Sequence, residues 1–183
     1  MSTWLKSEKT TRNFMWVGTD KTCTVTILNS IKDERPLVDY HKLTEPGNAS
    51  YVLGPNEFIL SKREEAGENK WKLNLKQGNV LTVLMHYTTE DEDGNKKEHT
   101  RKEVRLGNEY DSEFIQSIID EHGDIRGAKV TLERTDGSTS SGSFIELLEM
   151  TEVEEEANDL EYIKENYFVE NQEEIERLVG LQF

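Results

Sequence analysis

The sequence contains a single cysteine, three prolines, four histidines, and no apolar run approaching the roughly 20 residues that span a bilayer. One cysteine excludes an intrachain disulfide and a thiolate zinc site within the chain. Cys23 stands in Thr22-Cys23-Thr24-Val25-Thr26-Ile27-Leu28, a strand-like run where a cysteine reads as a small buried apolar residue. The opening Met1-Ser2-Thr3-Trp4-Leu5-Lys6 lacks the charged-then-apolar layout of a secretory leader. The expectation is a soluble, cytoplasmic protein without a membrane partner.

Signatures of catalysis are equally scarce. His41, His86, His99 and His122 stand far apart and in no metal-ligand spacing. No glycine-rich phosphate loop follows a strand, and Ser141-Gly142-Ser143 lacks the second glycine and the strand-to-helix setting of a nucleophile elbow. Asp91, Asp93 and Asn95 share some spacing with a calcium loop, but no glutamate closes it and a basic pair intervenes. The expectation is a non-enzymatic chain with no metal site and no cofactor.

What is present first is charge. The formal net charge of the 183 residues is −15. Residues 151–183 carry eleven acidic side chains against Lys164 and Arg177, a net of −9, which leaves −6 for the first 150. The body can therefore hold a local basic surface despite the overall acidity. This asymmetry, with the acidic run Glu152–Glu156, divides the chain into a β-rich domain over 1–150 and an acidic helical appendage over 151–183.

Period-two alternation broken by turn clusters dominates residues 12–106, the pattern of antiparallel strands with one face buried. Strands are expected at 13–17, 22–29, 49–53, 57–61, 69–76, 79–88 and 97–106, then at 128–134 and 142–149 around a turn at Asp136-Gly137-Ser138. In the stretch 69–76, Trp71, Leu73 and Leu75 would face the core while Lys70, Lys72 and Lys76 face water. Val80–Tyr87 is apolar on both faces, as a central strand would be, and Asp93-Gly94-Asn95 supplies a hairpin turn. The returning strand puts Lys97, His99, Arg101, Glu103 and Arg105 on one face. Asp111-Ser112 opens the one convincing helix of the first 150 residues, running to about Glu121. Beyond Met150, Leu160, Ile163, Tyr167 and Phe168 share one helical face, and Ile175, Leu178 and Val179 another.

Aromatic and cationic residues interleave through the β-rich part: Trp4, Lys6, Arg12, Phe14, Trp16, Lys21, Tyr40, Lys42, Trp71 between Lys70 and Lys72, Lys76, Arg101 and Arg105. Single-stranded nucleic acid is held by bases stacked on aromatic faces while lysine and arginine follow the phosphates. At strand positions Trp16 and Trp71 are more often core residues than base platforms.

The segment Arg12-Asn13-Phe14-Met15-Trp16-Val17-Gly18-Thr19-Asp20-Lys21, leading into Cys23–Leu28 and then Val38-Asp39-Tyr40-His41, resembles the start of phage-encoded single-stranded-DNA-binding proteins. Gly123–Gly137 is similar to a late strand of the same group. The resemblance covers about 45 residues. It implies an OB-type barrel, binding of single-stranded DNA without sequence preference, and action in replication or recombination in a bacterial host cell. It further implies an acidic C-terminus ending in an aromatic residue, here Glu154, Glu155, Glu156 and Phe183, that recruits protein partners or competes for the groove. Many relatives carry a cysteine-ligated zinc element after the first strands, and residues 41–75 contain no cysteine. The expected architecture is mainly β with α: an antiparallel OB-like barrel, one helix before the last hairpin, and an acidic helical end. Two other readings stand beside it, an acidic nucleic-acid mimic that inhibits a host defence nuclease and a small structural or assembly protein.

Overall fold

The computed structural model describes residues 11–47, 50–107, 111–135 and 141–183. Trp4, Lys6 and the expected turn at Asp136-Gly137-Ser138 lie outside these residues. Along the chain the elements are β1 (Lys21–Ile27), β2 (Leu37–Thr44), β3 (Ser50–Leu53), α1 (Glu57–Glu65) and a 3₁₀ helix (Gly67–Leu73). There follow β4 (Lys76–Glu90), β5 (Lys96–Gly107), α2 (Asp111–His122), β6 (Ala128–Arg134), β7 (Ser143–Met150), α3 (Leu160–Tyr167) and α4 (Gln172–Gly180). The protein is mainly β with α, and its strands make an open antiparallel sheet. The OB-like barrel expected from the sequence is corrected accordingly: among the described residues no pairing joins β5 to β7, and the sheet is open rather than closed on itself.

The contacts divide the chain into two units. The larger comprises residues 14–38 and 77–160. Its strands run in the order β5-β4-β1-β6-β7, with Val25 paired to both Met85 and Val130. Alternation puts Val25, Ile27, Leu81, Val83, Val130 and Leu132 on one face, where they pack with Ile118 of α2 and with Met15 and Val17. Burying each such side chain contributes roughly 1.5–3 kcal/mol. Residues 13–17, expected as a strand, lie outside the regular ladder, although the Met15 N–H donates to the Val104 carbonyl at 2.8 Å.

Residues 151–159 cross this unit as a fixed strap. The Thr151 N–H donates to the Gly127 carbonyl at 2.8 Å, and the Asn158 N–H donates to Thr82 Oγ1 at 3.0 Å. The Arg126 guanidinium donates to the carbonyls of Val153 and Glu155 at 3.1 and 2.7 Å. Gly127 is required here: its φ is +86°, and a Cβ would stand 1.9 Å from the Thr151 oxygen.

The smaller unit comprises, among the described residues, 11–13, 39–76 and 161–183. Leu43, Leu53, Ile59 and Leu73 form its core with Ile175, Leu178 and Val179 of α4, which the helical period of the sequence had placed on one face. His41 is fully buried in this unit, with Nδ1 at 2.9 Å from the Leu73 carbonyl.

Three strand assignments change in this unit. The strand expected at 57–61 is α1, because the Asn56 side chain accepts from the Phe58 and Ile59 N–H groups and caps a run of helix formers. The strand expected at 69–76 is the 3₁₀ helix, entered through Gly67 at φ +58° directly after α1 ends. Of its three presumed core residues only Leu73 is buried, whereas Trp71 and Leu75 are exposed. β2 was not expected as a strand: Tyr40 and His41 are both buried, so its burial does not alternate cleanly. The first 150 residues thus hold α1 and the 3₁₀ helix in addition to α2.

Candidate nucleic-acid interface

The aromatic and cationic residues fall into two groups, one in each unit. In the larger unit they lie at the end of the sheet face that α2 covers elsewhere. Lys21, Cys23 and Val25 alternate along β1, Met85 and Tyr87 along β4, and His99 and Arg101 along β5. The pairs Val25–Met85, Met85–Arg101 and Tyr87–His99 set them on the same face. Among the described residues, Tyr87 and Arg101 are exposed at this end of the face. Tyr87 stacks on His99 with ring centroids 5.2 Å apart and planes 23° apart, and the Arg101 guanidinium stands 5.7 Å from the Tyr87 ring. Thr89 Oγ1 and His99 Nε2 are 2.7 Å apart, which fixes the imidazole plane. Glu103 pairs with Arg101 at 2.5 Å and places an acidic group at this end.

Trp16, near the Lys21 stem at the start of β1, has 67% of its surface exposed. The turn that precedes β1 holds it there: the Lys21 N–H donates to the Gly18 carbonyl at 3.0 Å, and Asp20 takes a positive φ of 59°. A Cβ on Gly18 would meet Lys21 Cγ at 3.0 Å and the Trp16 ring at 3.9 Å, so ring and lysine stem flank the glycine. Phe14 is half-buried. Burial pushes the Cys23 thiol above its ordinary pKa, and Arg101 opposes that shift only in part, so the sulfur is a protonated spacer in this surface.

In the smaller unit the group centres on Lys72. Its ammonium lies 5.7 Å from the Trp71 ring and 6.0 Å from the Phe183 ring, and it donates to the Gln182 carbonyl at 2.8 Å. Trp71 and Phe183 are 64% and 58% exposed. Lys70, Lys76 and Arg12 are exposed as well, the last with its N–H donated to the Asn166 carbonyl at 2.7 Å. Residues assigned from the sequence to nucleic acid and to partner binding, Lys72 and Phe183, are therefore neighbours.

Two of the expected binding residues are withdrawn from solvent. Arg105 is fully buried: it pairs with Asp111 at 2.7 Å, donates to the carbonyls of Ser141 and Gly142 at 3.1 and 2.7 Å, and lies 4.3 Å from the Phe144 ring. Its place on the basic strip of β5 holds, but this end of the strand lies under cover. Tyr40 is buried too, and burial raises its phenol pKa. Glu154, Glu155 and Glu156 are exposed on the strap.

Sequence reasoning missed Tyr87 as part of the interface. The signal was available: with the hairpin closed at Glu90 and Lys96, counting back three residues on each strand sets Tyr87 opposite His99.

No protein-family model, curated protein or solved structure matches this chain. Among the described residues no helix is long and apolar enough to cross a membrane.

Proposed function

We propose that this protein binds single-stranded nucleic acid without sequence preference, as a phage-type protein acting in replication or recombination. The carrying observation is the exposed end of the larger unit's sheet face, where the Tyr87–His99 stack lies beside Arg101, together with the exposed Trp16 beside Lys21. Bases stack on such rings while the cations follow the backbone. Trp71 with Lys70 and Lys72 offers the same chemistry in the smaller unit, and the Gln182 and Phe183 contacts to Lys72 are where the C-terminal segment competes for it. Fluorescence anisotropy with labelled oligo-dT at low and high salt tests the function. Binding that weakens steeply with salt is expected, and no binding at micromolar protein in low salt ends the proposal.

One observation favours a second function, inhibition of a host defence nuclease by nucleic-acid mimicry. Glu154–Glu156 stand exposed on a strap that Arg126 holds in place. A mimic binds no oligonucleotide, so the same titration separates the two.

A further inference from the structure

Two cavities of the larger unit share a wall. One, of about 570 Å³, lies between the 29–36 loop, the turn at Asp124–Arg126 and the strap at 156–160. The other, of about 310 Å³, lies between the same loop and α2. Asn29, Ser30, Asp33 and Pro36 line both, so the loop is a partition with a different chemistry on each side.

The larger cavity is acidic. Asp33, Glu34, Asp124, Glu156 and Asp159 line it, against Lys32 and Arg126. Two of the carboxylates hold the partition itself: Asp33 accepts from the Ser30 N–H at 2.9 Å, and Asp124 accepts from Ser30 Oγ at 2.7 Å and the Ile31 N–H at 3.0 Å. Burial alone would raise the Asp124 pKa, but these bonds and those from the Ile125 and Arg126 N–H groups hold it below the ordinary range. The Arg126 guanidinium is engaged by the carbonyls of Leu28, Val153 and Glu155. Glu34 and Glu156 remain exposed at the rim. The smaller cavity is mainly apolar, with Leu37, Leu81, Ile115, Ile119 and Ile125 on its walls and Arg35, Asn79, Ser112 and Gln116 as its further polar lining.

Asn29 links the two. Its side chain is buried, with 6% of the residue exposed, and its Oδ1 accepts from the Thr82 N–H at 2.7 Å. That bond fixes the amide orientation and leaves Nδ2, a strong donor, without a protein partner among the described residues at the wall shared by both cavities.

We propose that the paired cavities bind a short extended peptide segment in which an aliphatic residue is followed by arginine or lysine. The aliphatic side chain enters the apolar cavity, the cation enters the acidic one, and a peptide carbonyl accepts from Asn29 Nδ2. Successive side chains of an extended peptide point to opposite sides, which suits a chain lying along a partition. The carboxylates repel phosphate, so this surface is separate in function from the nucleic-acid interface.

The test uses the full chain, with amide chemical shifts followed during titration by acetyl-Leu-Arg-Leu-Arg-amide. Controls are the Leu-Glu and Gly-Arg peptides of the same length. The Leu-Arg peptide is expected to shift the Asn29 side-chain amide and the backbone of residues 30–33 and 158, and to bind about tenfold or more tighter than either control. The double variant Glu34→Gln/Glu156→Gln, altered only at exposed positions, is expected to lose about fivefold in affinity and to flatten the salt dependence at an unchanged unfolding midpoint. Absence of shifts at these residues, equal binding of the Gly-Arg peptide, or an unaltered double variant would each overturn the proposal. None of these outcomes depends on whether oligonucleotides bind.

Discussion

The Arg105 guanidinium and the Asp111 carboxylate meet at 2.7 Å with side chains 0% and 4% exposed, joining the end of β5 to the first turn of α2. Gly107 makes room for the pair, since a Cβ there would lie 2.2 Å from Asp111 Oδ2 and 2.5 Å from Arg105 Nη1. Removing one partner of such a pair leaves an uncompensated buried charge. Asp111→Ala should lower the unfolding free energy by about 3–5 kcal/mol in urea titrations. Arg105→Lys should also be strongly destabilising, because one ammonium cannot replace a planar fork that reaches Asp111, Ser141 and Gly142 together. A neutral Arg105→Lys would contradict the assignment.

Burial lowers the His41 pKa, with its hydrogen bond to the Leu73 carbonyl opposing. A folded-state pKa below the unfolded value of about 6.5 means that the unfolded chain binds the extra proton first. The stability that follows is present above that value and is lost as pH falls toward the folded pKa. His86 is shifted in the same direction, by burial first and Lys129 second. Urea midpoints should therefore fall between pH 7.5 and 5.5, before most carboxylates titrate. His41→Gln should reduce that slope, and an identical slope in the variant would show that His41 is not the group responsible.

Two glycines should respond oppositely to alanine. Gly127→Ala strains a backbone at φ +86° and drives a Cβ into the Thr151 carbonyl, so a loss of at least about 1–3 kcal/mol and loosening of the strap are expected. Gly180, at the end of α4, has open space around its missing Cβ and an ordinary φ. Gly180→Ala should be neutral or gain up to about 1 kcal/mol. Thermal unfolding of both variants, with proteolysis near residue 151, checks the pair.

Trp16, Trp71 and Tyr87 offer exposed ring surface. Each alanine variant should weaken oligo-dT binding by about 1–3 kcal/mol, roughly 5- to 150-fold, with an unfolding midpoint close to that of the parent. Lys72→Glu should weaken binding and lower the slope of log affinity against log salt by about one. Anisotropy titrations at several salt concentrations read both effects. Unchanged affinity across the three aromatic variants would remove these rings from the interface.

Local periodicity determined much of this protein. The strands at 22–29, 79–88, 97–106, 128–134 and 142–149 correspond to β1, β4, β5, β6 and β7, and the helix opened at Asp111 is α2. Of the face Leu160–Ile163–Tyr167–Phe168, all but the half-buried Leu160 are buried, Phe168 just past the end of α3, and Ile175, Leu178 and Val179 are buried as their helical spacing requires. Alternation or a 3.6-residue repeat is written into consecutive residues, so no distant partner is needed to read it. Short windows misled where a cap decided the matter: Asn56 and Gly67 turned two apparent strands into helices.

Tertiary structure alone decided what covers each face. Arg101 and Arg105 share one side of β5, yet the first reaches solvent beside Tyr87 and the second is buried against Asp111. Trp16 and Trp71 had been open to either role, and their exposure follows from a turn and a 3₁₀ helix that point them away from the core. The sequence period assigns a residue to a face, but burial depends on which element lies over that face. The helices and the strap arrive from distant segments of the chain, and by that physical fact the open sheet, the cover over Arg105 and the two-sided partition at Asn29 were beyond local reading.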